Sequence, residues 1–141
     1  MHIHATCIAF HNEAVLLVGP PGVGKSDVGL RLLDGGAQLI ADDQTLLTLK
    51  DGLLMATAPL ATRGLFEIRH VGLVRMPYQD QAIVRLYVDL VSLNDDLERL
   101  PEPEPVFLLD QPVQRLRLPG VAASTPAKIR AALLHPFVTD Q

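Results

Sequence analysis

Alternating and continuous apolar runs at the start of the chain predict two paired strands. Residues 2–10 alternate between the two sides of a strand. The predicted faces hold Ile3, Ala5, Cys7 and Ala9 on one side and His2, His4 and Thr6 on the other. Residues 14–18 form a continuous apolar run, as expected of a buried strand. The polar residues 11–13 between the two runs indicate a turn, so we predict a hairpin that leads into Gly19.

Two segments with apolar residues three and four positions apart predict helices. Residues 26–34 form the first, and the glycine at position 35 ends it. The sequence Ser124-Thr125-Pro126 begins the second, because it offers a hydroxyl N-cap with proline at the first helical position. The core-facing positions are Val28, Leu32 and Leu33 in the first helix and Ile129, Ala132 and Leu133 in the second.

The remaining apolar segments predict strands. Residues 44–49 and 53–58 flank an Asp-Gly pair, which is a hairpin signal. Further strands are predicted at residues 38–41, 65–76, 81–93 and 113–118. In residues 81–93 we expect one buried face made of Ala82, Val84, Leu86, Val88 and Leu90. The acidic, proline-rich residues 94–105 predict an exposed loop.

Strands therefore outnumber helices, and several of them are joined as hairpins. This pattern favours an α/β fold with a mixed sheet over the regular strand–helix alternation of a doubly wound fold. The length of 141 residues predicts one domain spanning residues 1–141.

Composition and charge exclude several classes of protein. Hydrophobic residues make up 48% of the chain and charged residues 20%, which argues against disorder. The net charge of −4 disfavours a nucleic-acid partner. The lone Cys7 permits neither an internal disulfide nor a cysteine zinc site, and we interpret it as a core residue of a cytoplasmic protein. With neither a leader segment nor an apolar run of membrane-spanning length, we expect no membrane partner.

Residues 19–26 match the phosphate-binding P-loop pattern G-x-x-x-x-G-K-[ST] between a predicted strand and a predicted helix. The loop consists of Gly19, Pro20, Pro21, Gly22, Val23, Gly24, Lys25 and Ser26. Its glycines let backbone N–H groups point at phosphate oxygens, and the helix N-terminus adds partial positive charge. Lys25 supplies a charge for the β- and γ-phosphates, and the Ser26 hydroxyl can coordinate Mg²⁺. We therefore predict binding of a nucleoside triphosphate, ATP above others.

Acidic residues downstream of this loop are candidates for a metal ligand and a catalytic base. Asp42 and Asp43 end the next predicted strand. Because neighbouring strand residues point to opposite faces, we expect one to serve the site and the other the structure. Glu67 and Arg69 share a predicted strand face, where a cross-strand salt bridge is the alternative interpretation. For His4, the alternative is an ordinary polar strand face.

Together, these residues resemble the catalytic domain of the HPr kinase/phosphorylase family, in a short form without the family's N-terminal domain. The similar stretches are residues 4–6, 19–26, 40–43 and 67–69. The resemblance implies a fold of the HPr kinase/phosphoenolpyruvate carboxykinase-like type. It also implies ATP- and Mg²⁺-dependent phosphorylation of a serine in the phosphocarrier HPr, and removal of that phosphate by phosphorolysis. The resemblance further implies that the protein regulates the phosphotransferase system and carbon metabolism, and that it forms a homo-oligomer.

The resemblance also implies residue roles. Lys25 would hold the transferring phosphate, and Asp43 would accept the serine proton. His4 and Arg69 would lie beside the reacting phosphate. The implied Mg²⁺ ligands are Ser26, Glu67 and Asp42.

Three features of the chain depart from the family pattern. His70 stands where the family usually has glycine, and residues 118–124 lack the two arginines that longer members carry there. We therefore expect phosphorolysis to be weak. A third family arginine corresponds to Arg99 with altered spacing, and an exposed surface arginine is the alternative.

Two other functions fit the same loop. One is a non-catalytic nucleotide sensor, and the other is a P-loop kinase with a small-molecule acceptor. A GTPase is disfavoured because the chain has no Asn-Lys-x-Asp motif. A small-molecule kinase often closes an arginine-rich lid over its site. The only close arginine pair, Arg115 and Arg117, falls in a predicted strand instead.

Overall fold

The computed structural model describes residues 1–138, which form eleven strands, two α-helices and one short 3₁₀ helix at Leu60–Thr62. The helices are α1 (Lys25–Asp34) and α2 (Thr125–Leu134). The strands are β1 (His2–Ile3), β2 (Thr6–Phe10), β3 (Glu13–Val18), β4 (Gln38–Ala41), β5 (Thr45–Lys50), β6 (Leu53–Thr57), β7 (Leu65–Ile68), β8 (Gly72–Arg75), β9 (Ala82–Val91), β10 (Val106–Leu108) and β11 (Gln111–Pro119).

Nine strands form one mixed sheet, which confirms the predicted α/β class. The main order is β1-β5-β6-β9-β3-β2-β4. Strand β9 is central, because β3 pairs along one edge while β6 and then β11 pair along the other. The pairs β3–β9 and β9–β11 are parallel. The carboxyl ends of these three strands therefore meet at one edge, the place where open α/β sheets bind ligands.

A β-bulge in β9 corrects the prediction of one continuous apolar face. Ala14 pairs with Val84, but Val15 pairs with Leu86, so Arg85 is an extra residue in the ladder. An extra residue disrupts the alternation of faces along a strand. Consequently Ala82 and Val84 join one buried cluster, whereas Leu86, Val88 and Leu90 join the other.

The two buried clusters lie on opposite faces of the sheet. Along β2, Cys7 and Ala9 belong to one cluster and Ile8 and Phe10 to the other, as strand alternation requires. Both helices cover the second face. Their buried side chains include Val28, Leu32, Leu33 and Ile129, all of which were predicted to face the core. Phe66 of β7 packs into the same cluster and connects the small β7–β8 sheet to α1.

Two predicted elements differ in the structure, and one strand is additional. Residues 2–10 are two strands separated at His4 and Ala5, because β1 pairs with β5 while β2 pairs with β3 and β4. Residues 65–76 form the hairpin β7–β8, because His70 adopts a φ of 70° and reverses the chain. Strand β10 was not predicted.

The predicted hydroxyl N-cap of α2 is wrong, because no side chain caps the start of the helix. Ser124 occupies the N-cap position without a side-chain capping bond. Thr125 instead donates its hydroxyl to the carbonyl oxygen of Pro119, which ties the helix start to the end of β11. Within residues 1–138, no helix has the length and apolar character needed to cross a membrane.

Candidate active site

The predicted P-loop lies at the shared carboxyl-end edge, between β3 and α1. Gly22 and Gly24 adopt φ values of 82° and 108°, a region that residues with a Cβ rarely occupy. Gly24 is the N-cap of α1, and its carbonyl accepts the helix hydrogen bond of Val28 N–H at 2.9 Å. The loop therefore turns its backbone through conformations that glycine permits, as the phosphate-cradle interpretation requires.

The turn after β11 packs directly on this loop. A Cβ added to Gly24 would lie 2.8 Å from the Gly120 carbonyl oxygen, and one added to Gly120 would lie 1.9 Å from the Val23 oxygen. Gly120 N–H also donates to the Val91 carbonyl at the end of β9. The loops that follow the three parallel strands thus contact one another without room for side chains at these positions.

Asp43 lies opposite the P-loop and contacts its lysine. Its Oδ1 atom lies 3.3 Å from Lys25 Nζ and 2.6 Å from His4 Nε2. Partial burial would raise the pKa of the Asp43 carboxyl, but the hydrogen bonds and charges of His4 and Lys25 outweigh it and hold the pKa below its ordinary value. The carboxylate is therefore ionised at neutral pH while its side chain remains 57% exposed toward the cavity.

Asp42 is held more deeply than Asp43. Its Oδ1 accepts a hydrogen bond from the Thr6 hydroxyl at 3.1 Å, and its Oδ2 accepts one from Glu67 N–H at 3.0 Å. Burial raises the pKa of the Asp42 carboxyl, since it outweighs these two hydrogen bonds, and the charges of Asp43 and Glu67 raise it further.

The expectation that the two aspartates point to opposite faces is wrong. Strand β4 ends at Ala41, and Asp43 adopts a φ of 67°, so strand alternation does not apply to either residue. Both side chains line the same cavity.

Thr6 is a site residue whose role the sequence did not show. Its hydroxyl donates to Asp42 and accepts the backbone N–H of Asp43 at 3.2 Å. One buried oxygen therefore fixes the side chain of one aspartate and the backbone of the next. The available signal was its place on the polar face of the first predicted strand, beside His4.

A cavity of about 370 Å³ joins all these groups. Its lining includes the predicted residues His4, Pro20, Pro21, Gly22, Gly24, Lys25, Ser26, Asp42, Asp43, Glu67 and Arg69. Gly19 and Val23 of the P-loop lie outside this lining. Strand β7 ends at Ile68, so Arg69 reaches the cavity from the β7–β8 turn, which corrects its predicted place on a strand face with Glu67.

Ser26, Asp42 and Glu67, the three predicted metal ligands, line the cavity together. Among residues 1–138, no three His, Cys, Asp or Glu side chains are close enough to form a metal site by themselves. Mg²⁺ commonly takes only one or two carboxylates, with waters and substrate phosphates completing its coordination. The donor set fits a hard cation that arrives with a nucleotide.

Of the positions that depart from the family pattern, only the turn after β11 lines the cavity. His70 is exposed in a left-handed conformation, which explains why glycine suits that position. Val121 lines the cavity in the turn that lacks arginine. Arg99 is exposed in the loop after β9 and does not line the cavity. Arg115 lies in β11 and pairs with Asp89, as a strand residue rather than part of a lid.

Cys7 is fully buried, and burial raises the pKa of its thiol. A protonated, enclosed thiol is unreactive, which agrees with its predicted place in the core.

Comparison with known proteins gives consistent matches. The family model described as HPr Serine kinase C-terminal domain matches residues 1–133. The HPr kinase/phosphorylase of Clostridium acetobutylicum is 27% identical over 127 residues, covering 83% of this chain and 42% of that protein. The one from a Geobacillus species is 31% identical over 128 residues, covering 83% and 41%. The chain thus spans less than half the length of these curated relatives.

A solved structure shares the fold. The Hpr(Ser) kinase/phosphatase from Coxiella burnetii matches with a TM-score of 0.82 and 25% identity, covering 93% of this chain and 87% of that one. With the family match across residues 1–133, this establishes that the chain belongs to the HPr serine kinase C-terminal domain family.

Proposed function

We propose that this chain is an ATP-dependent protein-serine kinase that phosphorylates an HPr-type phosphocarrier. One observation carries the proposal: a single Asp43 oxygen contacts both the P-loop lysine and His4 in an open cavity. The names of the relatives point to HPr as the acceptor. In this proposal residues 1–141 form one P-loop kinase catalytic domain. The protein acts in the cytoplasm as a homo-oligomer, and it regulates the phosphotransferase system and carbon metabolism.

The cradle supports ATP as the phosphoryl donor. The P-loop residues that line this cavity include Gly22, Gly24, Lys25 and Ser26, the last two of which begin α1. The Lys25 side chain is only 13% exposed, so its ammonium group is held at the base of the cavity. A triphosphate there would meet the positive end of a helix and a fixed cation.

Asp43 is positioned to act as the general base. The serine oxygen attacks the γ-phosphorus, its proton passes to an Asp43 carboxylate oxygen, and the bond from the γ-phosphorus to the bridging oxygen breaks to release ADP. An ionised aspartate suffices, since a loose transition state asks mainly for positioning and charge stabilisation. When the incoming phosphates attract Lys25, Asp43 shares that cation with them, so its pKa rises and it becomes a better base.

His4 and Arg69 have supporting roles in this scheme. His4 holds Asp43 at 2.6 Å and fixes the direction of its carboxylate. Arg69 stands at the cavity lining, where a guanidinium group can pair with phosphate oxygens. Ser26, Glu67 and Asp42 would hold Mg²⁺, which would neutralise charge on the β- and γ-phosphates.

The test is phosphoryl transfer from γ-labelled ATP to purified HPr. A matched HPr variant that lacks the acceptor serine is the substrate control. Asp43→Asn keeps the size of the side chain but cannot take the proton, so we expect ATP binding without transfer. Asp42→Asn distinguishes the two aspartates, because a dead Asp42→Asn beside an active Asp43→Asn would contradict the assigned base.

Other results separate the competing functions. ATP binding with no transfer to HPr and no turnover would favour a nucleotide sensor. Turnover that requires a small hydroxylated compound instead of HPr would favour a small-molecule kinase. Absence of ATP binding would overturn the assignment of the P-loop itself.

A further inference from the structure

Gly29 lies in the interior of α1, on the face of the helix that packs against the core. Glycine destabilises a helix interior relative to alanine, because it loses more backbone freedom on folding. The common reason for a glycine, a left-handed backbone, does not apply to Gly29, which has helical geometry. The reason for its missing side chain therefore lies in the groups that surround it.

Two side chains occupy the space that a Cβ atom at position 29 would need. The added atom would lie 3.3 Å from Phe66 Cζ, 3.5 Å from Phe66 Cε1 and 3.6 Å from Thr6 Cγ2. Carbon atoms pack best at about 3.5–4.0 Å, so the Phe66 ring would have to move. Phe66 and Thr6 are 0% and 1% exposed, so neither side chain can move into solvent.

These two side chains are linked to both hydrogen-bond donors of Asp42. The Thr6 hydroxyl donates to its Oδ1 at 3.1 Å, and the N–H of Glu67, the residue after Phe66, donates to its Oδ2 at 3.0 Å. A shift of the Phe66 ring would move the adjoining Glu67, and a shift of the Thr6 methyl would turn the hydroxyl on the same Cβ. Both hydrogen bonds of Asp42 therefore depend on the space at Gly29.

The same glycine lies one helical turn from the phosphate-binding end of α1. Ser26 is three positions before Gly29, on the same side of the helix. Ser26, Asp42 and Glu67 line the phosphate cavity together. Four buried residues, Gly29 among them, anchor α1 to the core. An added methyl group would therefore displace the side chains of β2 and β7 and leave the helix in place.

We infer that Gly29 and Phe66 form a fitted spacer that sets the separation between Ser26, on the P-loop helix, and the carboxylates Asp42 and Glu67. Gly29 does not line the cavity, so it is a positioning residue that acts through its two side-chain neighbours. The inference rests on the proposed function in requiring Mg²⁺ and a nucleotide between these groups. Mg²⁺ is sensitive to such spacing, because it demands near-ideal octahedral geometry.

Gly29→Ala tests the spacer through the Mg²⁺ dependence of ATP binding, measured by calorimetry with Mg²⁺ and with EDTA. The P-loop is unchanged, so the affinity for metal-free ATP should match that of the wild type. The Mg²⁺ concentration for half-maximal enhancement of ATP binding should rise about tenfold, the lower end of the roughly 10- to 100-fold cost of losing outer-shell support at a metal site. Urea unfolding in EDTA checks that both proteins are folded under the conditions of the titration.

A second substitution should rescue the first. Phe66→Leu removes the ring atoms that the added methyl group would meet. Alone it leaves a gap beside α1 and should also raise the Mg²⁺ requirement, but combined with Gly29→Ala it should return that requirement to near the wild-type value. Gly35→Ala is the matched control, because a Cβ there meets only two backbone oxygens at 3.4 Å and Gly35 lies outside the cavity.

An unchanged Mg²⁺ requirement in Gly29→Ala would overturn the spacer. Equal weakening of ATP binding with and without Mg²⁺ would also overturn it, since the P-loop helix itself would then have moved. A double variant no better than Gly29→Ala would count against it in the same way. If Gly29→Ala does not fold, a folded double variant with the wild-type Mg²⁺ requirement supports the spacer, and an unfolded one overturns it. Wild-type protein that does not bind ATP, or binds it without regard to Mg²⁺, would instead refute the proposed function.

Discussion

Replacing Thr6 with valine tests how the two aspartates are positioned. Valine keeps the shape of threonine in this buried position but removes the hydroxyl. The variant loses the bond to the Asp42 carboxylate at 3.1 Å and the bond from Asp43 N–H at 3.2 Å. Asp42 retains its hydrogen bond from Glu67 N–H, so its carboxylate keeps one of its two hydrogen-bond donors.

The expected loss of stability follows from these two bonds. A hydrogen bond to a charged group contributes about 1.5–3 kcal/mol and a neutral one about 0.5–1.5 kcal/mol. Thr6→Val should therefore lower the free energy of unfolding by about 2–4.5 kcal/mol. The fall in kcat should be larger than the fraction of unfolded protein accounts for. A misplacement of about 1 Å at a catalytic group can cost on the order of 100-fold in rate.

Urea unfolding and transfer kinetics on the same preparations provide the measurements. Thr6→Ser retains the hydroxyl and should recover most of kcat. Thr45→Val is a matched control, because Thr45 is equally buried and donates its hydroxyl only to the Ala5 carbonyl, at 2.8 Å. It should lose stability but keep kcat in the folded protein. Equal kcat in Thr6→Val and Thr45→Val would refute the positioning role of Thr6.

Four further predictions concern the charged groups. Lys25→Ala should abolish nucleotide turnover with an unchanged circular dichroism spectrum, because the cavity loses its fixed cation; turnover at the wild-type rate would contradict this. Glu67→Gln should raise the Mg²⁺ concentration for half-maximal activity while the backbone N–H bond to Asp42 survives, and an unshifted Mg²⁺ titration would return Glu67 to a structural role. The folded pKa of Asp43 is lowered, so its stabilising effect is present above the unfolded value of about 3.9 and is lost as the pH falls through the folded value. The folded pKa of Asp42 is raised, so its ionisation costs stability at higher pH and that cost disappears on acidification. Urea unfolding from about pH 6 to pH 3 should therefore show the wild type losing stability relative to Asp43→Asn and gaining it relative to Asp42→Asn, and slopes of the same sign would be inconsistent with the geometry. Finally, pyrophosphate release from serine-phosphorylated HPr and phosphate should be slower than forward transfer, because Val121 and its neighbours provide no cation between two anions, and equal rates would refute this reasoning.

Local elements of the fold could be predicted because their signals are contiguous in the chain. The P-loop, α1 with its buried Val28 and Leu32, and the β5–β6 hairpin each depend on residues a few positions apart. The β-bulge at Arg85 could not be predicted. A period of two continues through it unbroken, and only the register of β9 against β3 decides where an extra residue falls.

The turn at residues 69–71 also could not be predicted from the local sequence pattern. Residues 65–76 look like one extended segment, but His70 adopts a positive φ that its residue type does not favour as glycine does. Packing of Phe66 in the core beside α1 fixes β7, and the chain reverses to pair β8 with it. That reversal moves Arg69 from a strand face to the lining of the cavity.

The sequence by itself determined the phosphate cradle, the chemical types available to the site and the mixed α/β class. The tertiary structure decided which of those groups meet. His4 and Asp43 are 39 positions apart, and Thr6 and Asp42 are 36 apart, yet each pair is hydrogen-bonded because β2 lies next to β4 in the sheet. Strand pairing of this kind depends on the register of distant segments, which no local pattern encodes, whereas a glycine loop between a strand and a helix depends only on neighbouring residues.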